Sequence, residues 1–157
     1  MVIILLSLIF FFLIQIGYLY MNQLVAGHTA FVMGRSHVVG FERPIVQRAM
    51  EVGSIPMSGH LTKPEALVGM RPAELGEIEP VLIEDFVQTE QYTIYYQHWP
   101  RVHMDLPAGE NERVERFRVS VRDYPMEMPM AGAYMNRKSV NFRGDANLYN
   151  HSAYYLE

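Results

Sequence analysis

The chain has 157 residues, enough for one domain with a self-supporting core, and its net charge of -4 contains no long run of one sign. Its seventeen acids and thirteen bases form no basic stripe with interleaved aromatics, which excludes a nucleic-acid surface. The absence of cysteine excludes disulfides, thiolate metal sites, c-type haem attachment and cysteine nucleophiles, and says little about compartment.

A mean hydropathy near zero hides two unlike parts. Met1 to Gly34 contains no Asp, Glu, Lys or Arg, and every charge lies from Arg35 onward. The run MVIILLSLIFFFLI carries Ser7 alone as a polar side chain, Gln15 interrupts it, and IGYLYM continues to Met21. About 20 apolar residues at a rise of ~1.5 Å cross a hydrocarbon core of roughly 30 Å. Ile4, Leu8, Phe11, Phe12 and Ile16 therefore belong to a membrane span or to the apolar core of an assembly. Tyr18 and Tyr20 stand where interfacial aromatics stand. A cleaved secretory signal, with V-A-G at Val25 to Gly27 as its site, is the competing reading. It wants a basic leading region, and no base precedes the apolar run.

No proline occurs before Pro44, so the helix is expected to continue past the span. Ala26, Ala30 and Gly34 recur at i, i+4 and i+8 as a narrow small-residue stripe that lets another element approach closely. Two partners are open for this stripe: the chain's own globular part, or helix–helix packing on identical neighbours. The expected division is 1–43 for the apolar helix and 44–157 for a globular head.

Pro44 suits a helix first turn, and IVQRAMEVGSI keeps helical spacing up to Gly53 and Pro56. Pro56 to Gly76 reads as loop, with a short helical turn over PEALVGM. EIEPVLIEDFVQTE reads as a short helix with Pro80 near its start, and QYTIYYQHW as a strand. Pro100 to Asn111 reads as a connection. In ERFRVSVRDY, Phe117, Val119 and Val121 alternate with Arg116, Arg118, Ser120 and Arg122, the pattern of a strand with one buried face. A last pair of short strands is expected over KSVNFRG and NLYNHSAYY. The fold class is α+β: a long N-terminal apolar helix followed by a small antiparallel β-sheet domain, without internal repeats.

No catalytic constellation, metal site or cofactor fingerprint emerges. His98 and His103, and His28 and His37, lack compact ligand spacing. Adjacent Glu84 and Asp85 point to different sides, and Glu77 and Glu79 belong on a solvated face. Phosphate-binding and dinucleotide glycine loops and the G-x-S-x-G elbow are missing. Met126, Met128 and Met130 read as packing filler. Asn150-His151-Ser152 is a sequon, which makes Asn150 a candidate glycosylation site on an exported face.

Three stretches resemble the TadE-like pseudopilins of tight-adherence and related pilus systems. These are the apolar helix running into YLYMNQLVAGHTAFVMGRSHVVG, then VSVRDYPMEMPMAG, then FRGDANLYNHSAYY; together they cover roughly half of the chain. The resemblance implies a subunit held in the inner membrane, extracted by pilus assembly machinery and inserted among identical subunits in a helical filament at the cell surface. Met1 to Gly34 would line the filament core, with no enzymatic role. Pilins carry a glutamate at the fifth mature position, whereas position 5 here is Leu5 and the first acid is Glu42. Arg35, Arg43 and Arg48 follow the span, and by the positive-inside bias alone they would hold the head in the cytoplasm, opposite to a pilin. The alternatives are a single-span accessory subunit of a membrane complex and a membrane-anchored enzyme or binding protein.

Overall fold

A computed structural model describes residues 2–89, 94–107, 114–125 and 139–149. The chain is α+β, as the residue pattern predicts. Helix α1 (Val2–Val38) is followed by α2 (Arg43–Gly53), strand β1 (Leu61–Lys63), α3 (Pro72–Gln88), β2 (Tyr95–Tyr96), β3 (Val102–Asp105), β4 (Val114–Pro125) and β5 (Ser139–Tyr149). Strands β3, β4 and β5 form an antiparallel sheet in that order, and β1 and β2 pair as a separate short ribbon.

The sheet has one wet face and one dry face. Phe117, Val119 and Val121 are buried, Arg118 and Ser120 between them are half-buried, and Arg116 and Arg122 on either side are exposed. The dry face covers the C-terminal half of α1, and α2 packs on α1 as well. Ala26, Ala30, Met33, Val46, Met50, Phe117, Val119, Val121 and Phe142 make the main core. Glu115, also on the dry face and 1% exposed, meets His37 Nδ1 at 3.5 Å beside the end of α1. A second cluster of Leu61, Phe86, Ile94, Tyr96 and Trp99 lies under α3. Its Tyr96 hydroxyl donates to Glu79, and burial followed by that carboxylate pushes the phenol above its ordinary range.

Five elements depart from the sequence expectations. Strand β1 (Leu61–Lys63) lies inside the stretch Pro56 to Gly76 expected as loop, where it pairs with β2. Helix α3 begins at Pro72, so Pro80 lies inside it rather than near its start. Proline is favourable in a first turn, and here Pro72 takes that place. The aromatic run after α3 shows only Tyr95–Tyr96 as strand before a tight turn at Trp99–Arg101; residues 90–93 lie outside the described part. The expected connection after Pro100 contains β3, whose Val102 to Asp105 pair with Val121 to Arg118. The expected closing strand pair is, over Ser139–Tyr149, one continuous strand.

Gly144 explains that last difference. It sits mid-strand opposite Val119, and its function is close approach rather than a turn. A methyl group there would lie 2.5 Å from the Gly27 backbone nitrogen and nearer still to the Ala26 carbonyl. The absent side chain lets α1 and β5 touch backbone to backbone.

Candidate membrane span and its seat on the head

Helix α1 is 37 residues long, and its two halves have opposite surroundings. From Val2 to Met21 every large apolar side chain except Leu19 is exposed, including Ile4, Leu8, Phe11, Phe12 and Ile16. This segment is long and apolar enough to cross a membrane. Soluble monomers rarely show contiguous apolar patches beyond a few hundred Å². At roughly 1.5–3 kcal/mol for each such side chain removed from water, the run gains on the order of tens of kcal/mol from lipid or from neighbouring helices.

Ser7 and Gln15 within it differ. Ser7 Oγ donates to the Ile3 carbonyl one turn back at 2.9 Å, so its hydroxyl is satisfied within the helix. Gln15 is half-buried, and its Nε2 has no hydrogen-bond partner among the described residues.

The seat begins at Asn22, which is buried, and continues through Ala26, Thr29, Ala30, Met33 and Gly34. The stripe foreseen as a helix–helix surface is thereby occupied by the chain's own head. Ala26 and Ala30 are fully buried, and a methyl at Gly34 would stand 2.5 Å from the Phe117 ring and 2.8 Å from Leu148. Within one chain Ala26, Ala30 and Gly34 pack on the head's own sheet. The small side chains serve the close contact with a β-sheet, whose branched and aromatic residues fill the space. Thr29 makes the other contact, lying against Gly53 of α2 while its hydroxyl donates to the Val25 carbonyl.

Hydrogen bonds close the seat at its end nearer the span. Gln23 Nε2 donates to the Arg143 carbonyl at 2.6 Å, and the Tyr18 and Tyr124 hydroxyls are hydrogen-bonded at 2.8 Å. Tyr124 reaches this place through a bulge that simple alternation does not foresee. The ladder between β4 and β5 shifts between Val121 and Tyr124, and Asp123 adopts φ 52°. Asp tolerates this left-handed conformation better than most residues. The Asp123 amide donates to the Asn141 side chain at 2.8 Å. With one residue absorbed, Arg122 and Asp123 both lie outside and Tyr124 returns to the dry face, against Phe142 and His98. A polar pair at the boundary of an apolar segment and a folded head is well matched to an interface.

The other residues singled out in the sequence are dispersed. His28, His60 and His103 are exposed, His98 is buried beside Tyr124, and His37 faces Glu115. Glu77, Glu84 and Asp85 line the outside of α3, apart from Glu79 at Tyr96. Among the described residues, no group of three or more His, Asp or Glu is placed to hold a metal ion. Asn150 and the methionines 126, 128 and 130 lie outside the described residues. Comparison with protein-family models, with curated proteins and with solved structures finds nothing that matches this chain.

Proposed function

We propose that the chain is a structural subunit of a pilus-like extracellular filament, a TadE-like pseudopilin in kind, that assembles through the exposed half of α1. One observation carries this reading: a single rigid helix is seated firmly in a small head over Asn22 to Gly34, yet leaves Val2 to Met21 apolar and bare. Such a segment needs lipid before assembly and identical helices after it. The head fixes the helix in direction, so that stacking copies by their helices also spaces the heads outside. Pilus assembly machinery would extract the subunit from the inner membrane. Transfer from lipid into a helix bundle keeps the apolar surface away from water throughout, which makes the exchange energetically near-balanced.

A second reading has a specific feature in its favour. The bare segment Val2 to Met21 holds no acid to pair with a neighbouring helix. A single-span accessory subunit of a membrane complex needs no such group.

Shearing intact cells, pelleting the released material, imaging it and identifying the chain by mass spectrometry separates the two. Long filaments containing this chain support the subunit reading. Retention in membranes, with release by detergent as a discrete heteromeric particle, refutes it in favour of the accessory subunit.

A further inference from the structure

The wet face of the sheet bears an excess of arginine. Arg116, Arg118 and Arg122 recur on β4, and Arg143 stands opposite Ser120 on β5. One carboxylate serves three of them: Asp145 lies 3.3 Å from Arg116, 2.9 Å from Arg118 and 3.3 Å from Arg143. Arg122 makes no ion pair among the described residues and is exposed. The neighbouring strand β3 adds Asp105, opposite Arg118, and Asp123 lies exposed beside Arg122. These residues leave the face net positive, in a chain whose total is negative.

The matching surface is on α3. Leu75, Leu82, Ile83 and Phe86 turn toward the Trp99 cluster. The opposite side shows Glu74, Glu77, Val81, Glu84 and Asp85, all exposed, and the helix contains no Lys or Arg. Val81 is 65% exposed and Ile78 beside it 37%, an apolar centre inside an acidic rim. The dimensions agree. Glu74 to Glu84 spans about 15 Å at ~1.5 Å per residue, and Arg116 to Arg122 about 20 Å at ~3.3 Å per residue.

We infer that the arginine face of β4 and β5 receives the α3 face of a second copy of this chain. The pairing is heterologous, using two different surfaces of each subunit. Repeated, it closes a ring or continues as an open helical array, as a filament requires. Among the described residues α3 packs on α2 and the Trp99 cluster, whereas the arginines stand on the sheet face away from α1, and no described element covers either surface. Opposite potentials of this kind set register and partner choice more than raw affinity. The inference rests on the filament reading and adds a head-to-head contact to the helix core.

The test uses filaments sheared from cells making the full chain with Arg122→Lys, which keeps the charge and supplies an amine. Carbodiimide then joins carboxylates to amines in direct contact, and mass spectrometry identifies the joined peptides. The expected product links the segment containing position 122 to α3 of a neighbouring subunit. It is lost when Glu74→Arg, Glu77→Arg and Glu84→Arg are introduced together, changes confined to exposed positions. Filaments in which the new amine couples only to other segments overturn this interface and leave the filament reading standing. If the unaltered chain forms no filaments, both fall together.

Discussion

Helix α1 lies backbone to backbone on the sheet, and Gly144→Ala perturbs that contact most directly. The added methyl would sit 2.5 Å from the Gly27 backbone nitrogen, with the Ala26 carbonyl nearer. Optimal contact between such atoms is about 3.5 Å, so helix and strand must part by at least ~1 Å, and by more to clear the Ala26 carbonyl. Backbone cannot swing aside as a long side chain can. The surrounding seam of Ala30, Met33, Phe117 and Val119 is fully buried, and a gap of that size forfeits about a quarter to a half of its dispersion energy at each separated contact. Overpacking usually costs about 1–3 kcal/mol, and a backbone clash belongs at the upper end, about 3 kcal/mol. Urea unfolding of the full chain in detergent, followed by the fluorescence of its one tryptophan, Trp99, measures the loss. Amide exchange over residues 139–149 locates it. The matched control is Gly27→Ala, where a methyl meets nothing within 4 Å. It should stabilise the helix by up to ~1 kcal/mol. If Gly144→Ala proves as harmless as Gly27→Ala, the close-packed seat is refuted.

Three further outcomes are expected. Tyr18→Phe should cost about 1 kcal/mol by the same unfolding assay, and a double-mutant cycle with Tyr124→Phe should show coupling between the hydroxyls; strict additivity contradicts the contact. Burial raises the Glu51 carboxyl above its ordinary range, against smaller lowering effects of Gln47 and Arg48. A raised folded-state value means that the folded chain holds the proton more tightly, so stability falls as pH climbs from the unfolded value through the folded one. Glu51→Gln should therefore raise the urea midpoint at neutral pH and remove that part of the pH dependence, and a lowered midpoint contradicts it. Phe12→Arg places a charge in the bare half of α1, at about 2.5–3.5 kcal/mol near a span centre. Membrane retention should fall while head stability stays constant, because Phe12 lies outside the head core; loss of head stability instead would show that the two halves of α1 are not independent.

Some elements were legible because one pattern dominated them. The uncharged apolar run predicted α1, and strict alternation predicted the buried face of β4, down to Phe117, Val119 and Val121. Other features depend on tertiary contacts that local pattern does not encode. Gly144 ends the first of the two short strands expected there, and only the contact with α1 shows why a glycine continues β5 instead. Strand β3 is four residues between prolines 100 and 107, too short for its alternation to speak. The small-residue stripe shows only that something approaches closely; that the partner is the chain's own sheet is a property of the fold. Likewise, the bulge at Asp123 resets the alternation and brings Tyr124 to Tyr18, which the spacing of β4 alone would have placed on the wet face. The exposed span was the most legible part of the site, since hydropathy and length suffice for it. The seat was the least, since it joins residues more than a hundred positions apart, such as Tyr18 with Tyr124 and Gln23 with Arg143.

The central claim is that Val2 to Met21 is sheltered by neighbouring copies once the chain has left the membrane. Because the chain has no cysteine, single reporters can be placed at will. We would compare Phe11→Cys with Gln97→Cys, an exposed turn position in the head, for reaction with a water-soluble maleimide in detergent-free sheared material. Rapid labelling at position 97, with protection at position 11 until detergent dissociates the particles, is the predicted result. Equal labelling at both positions in intact particles would contradict assembly through this helix.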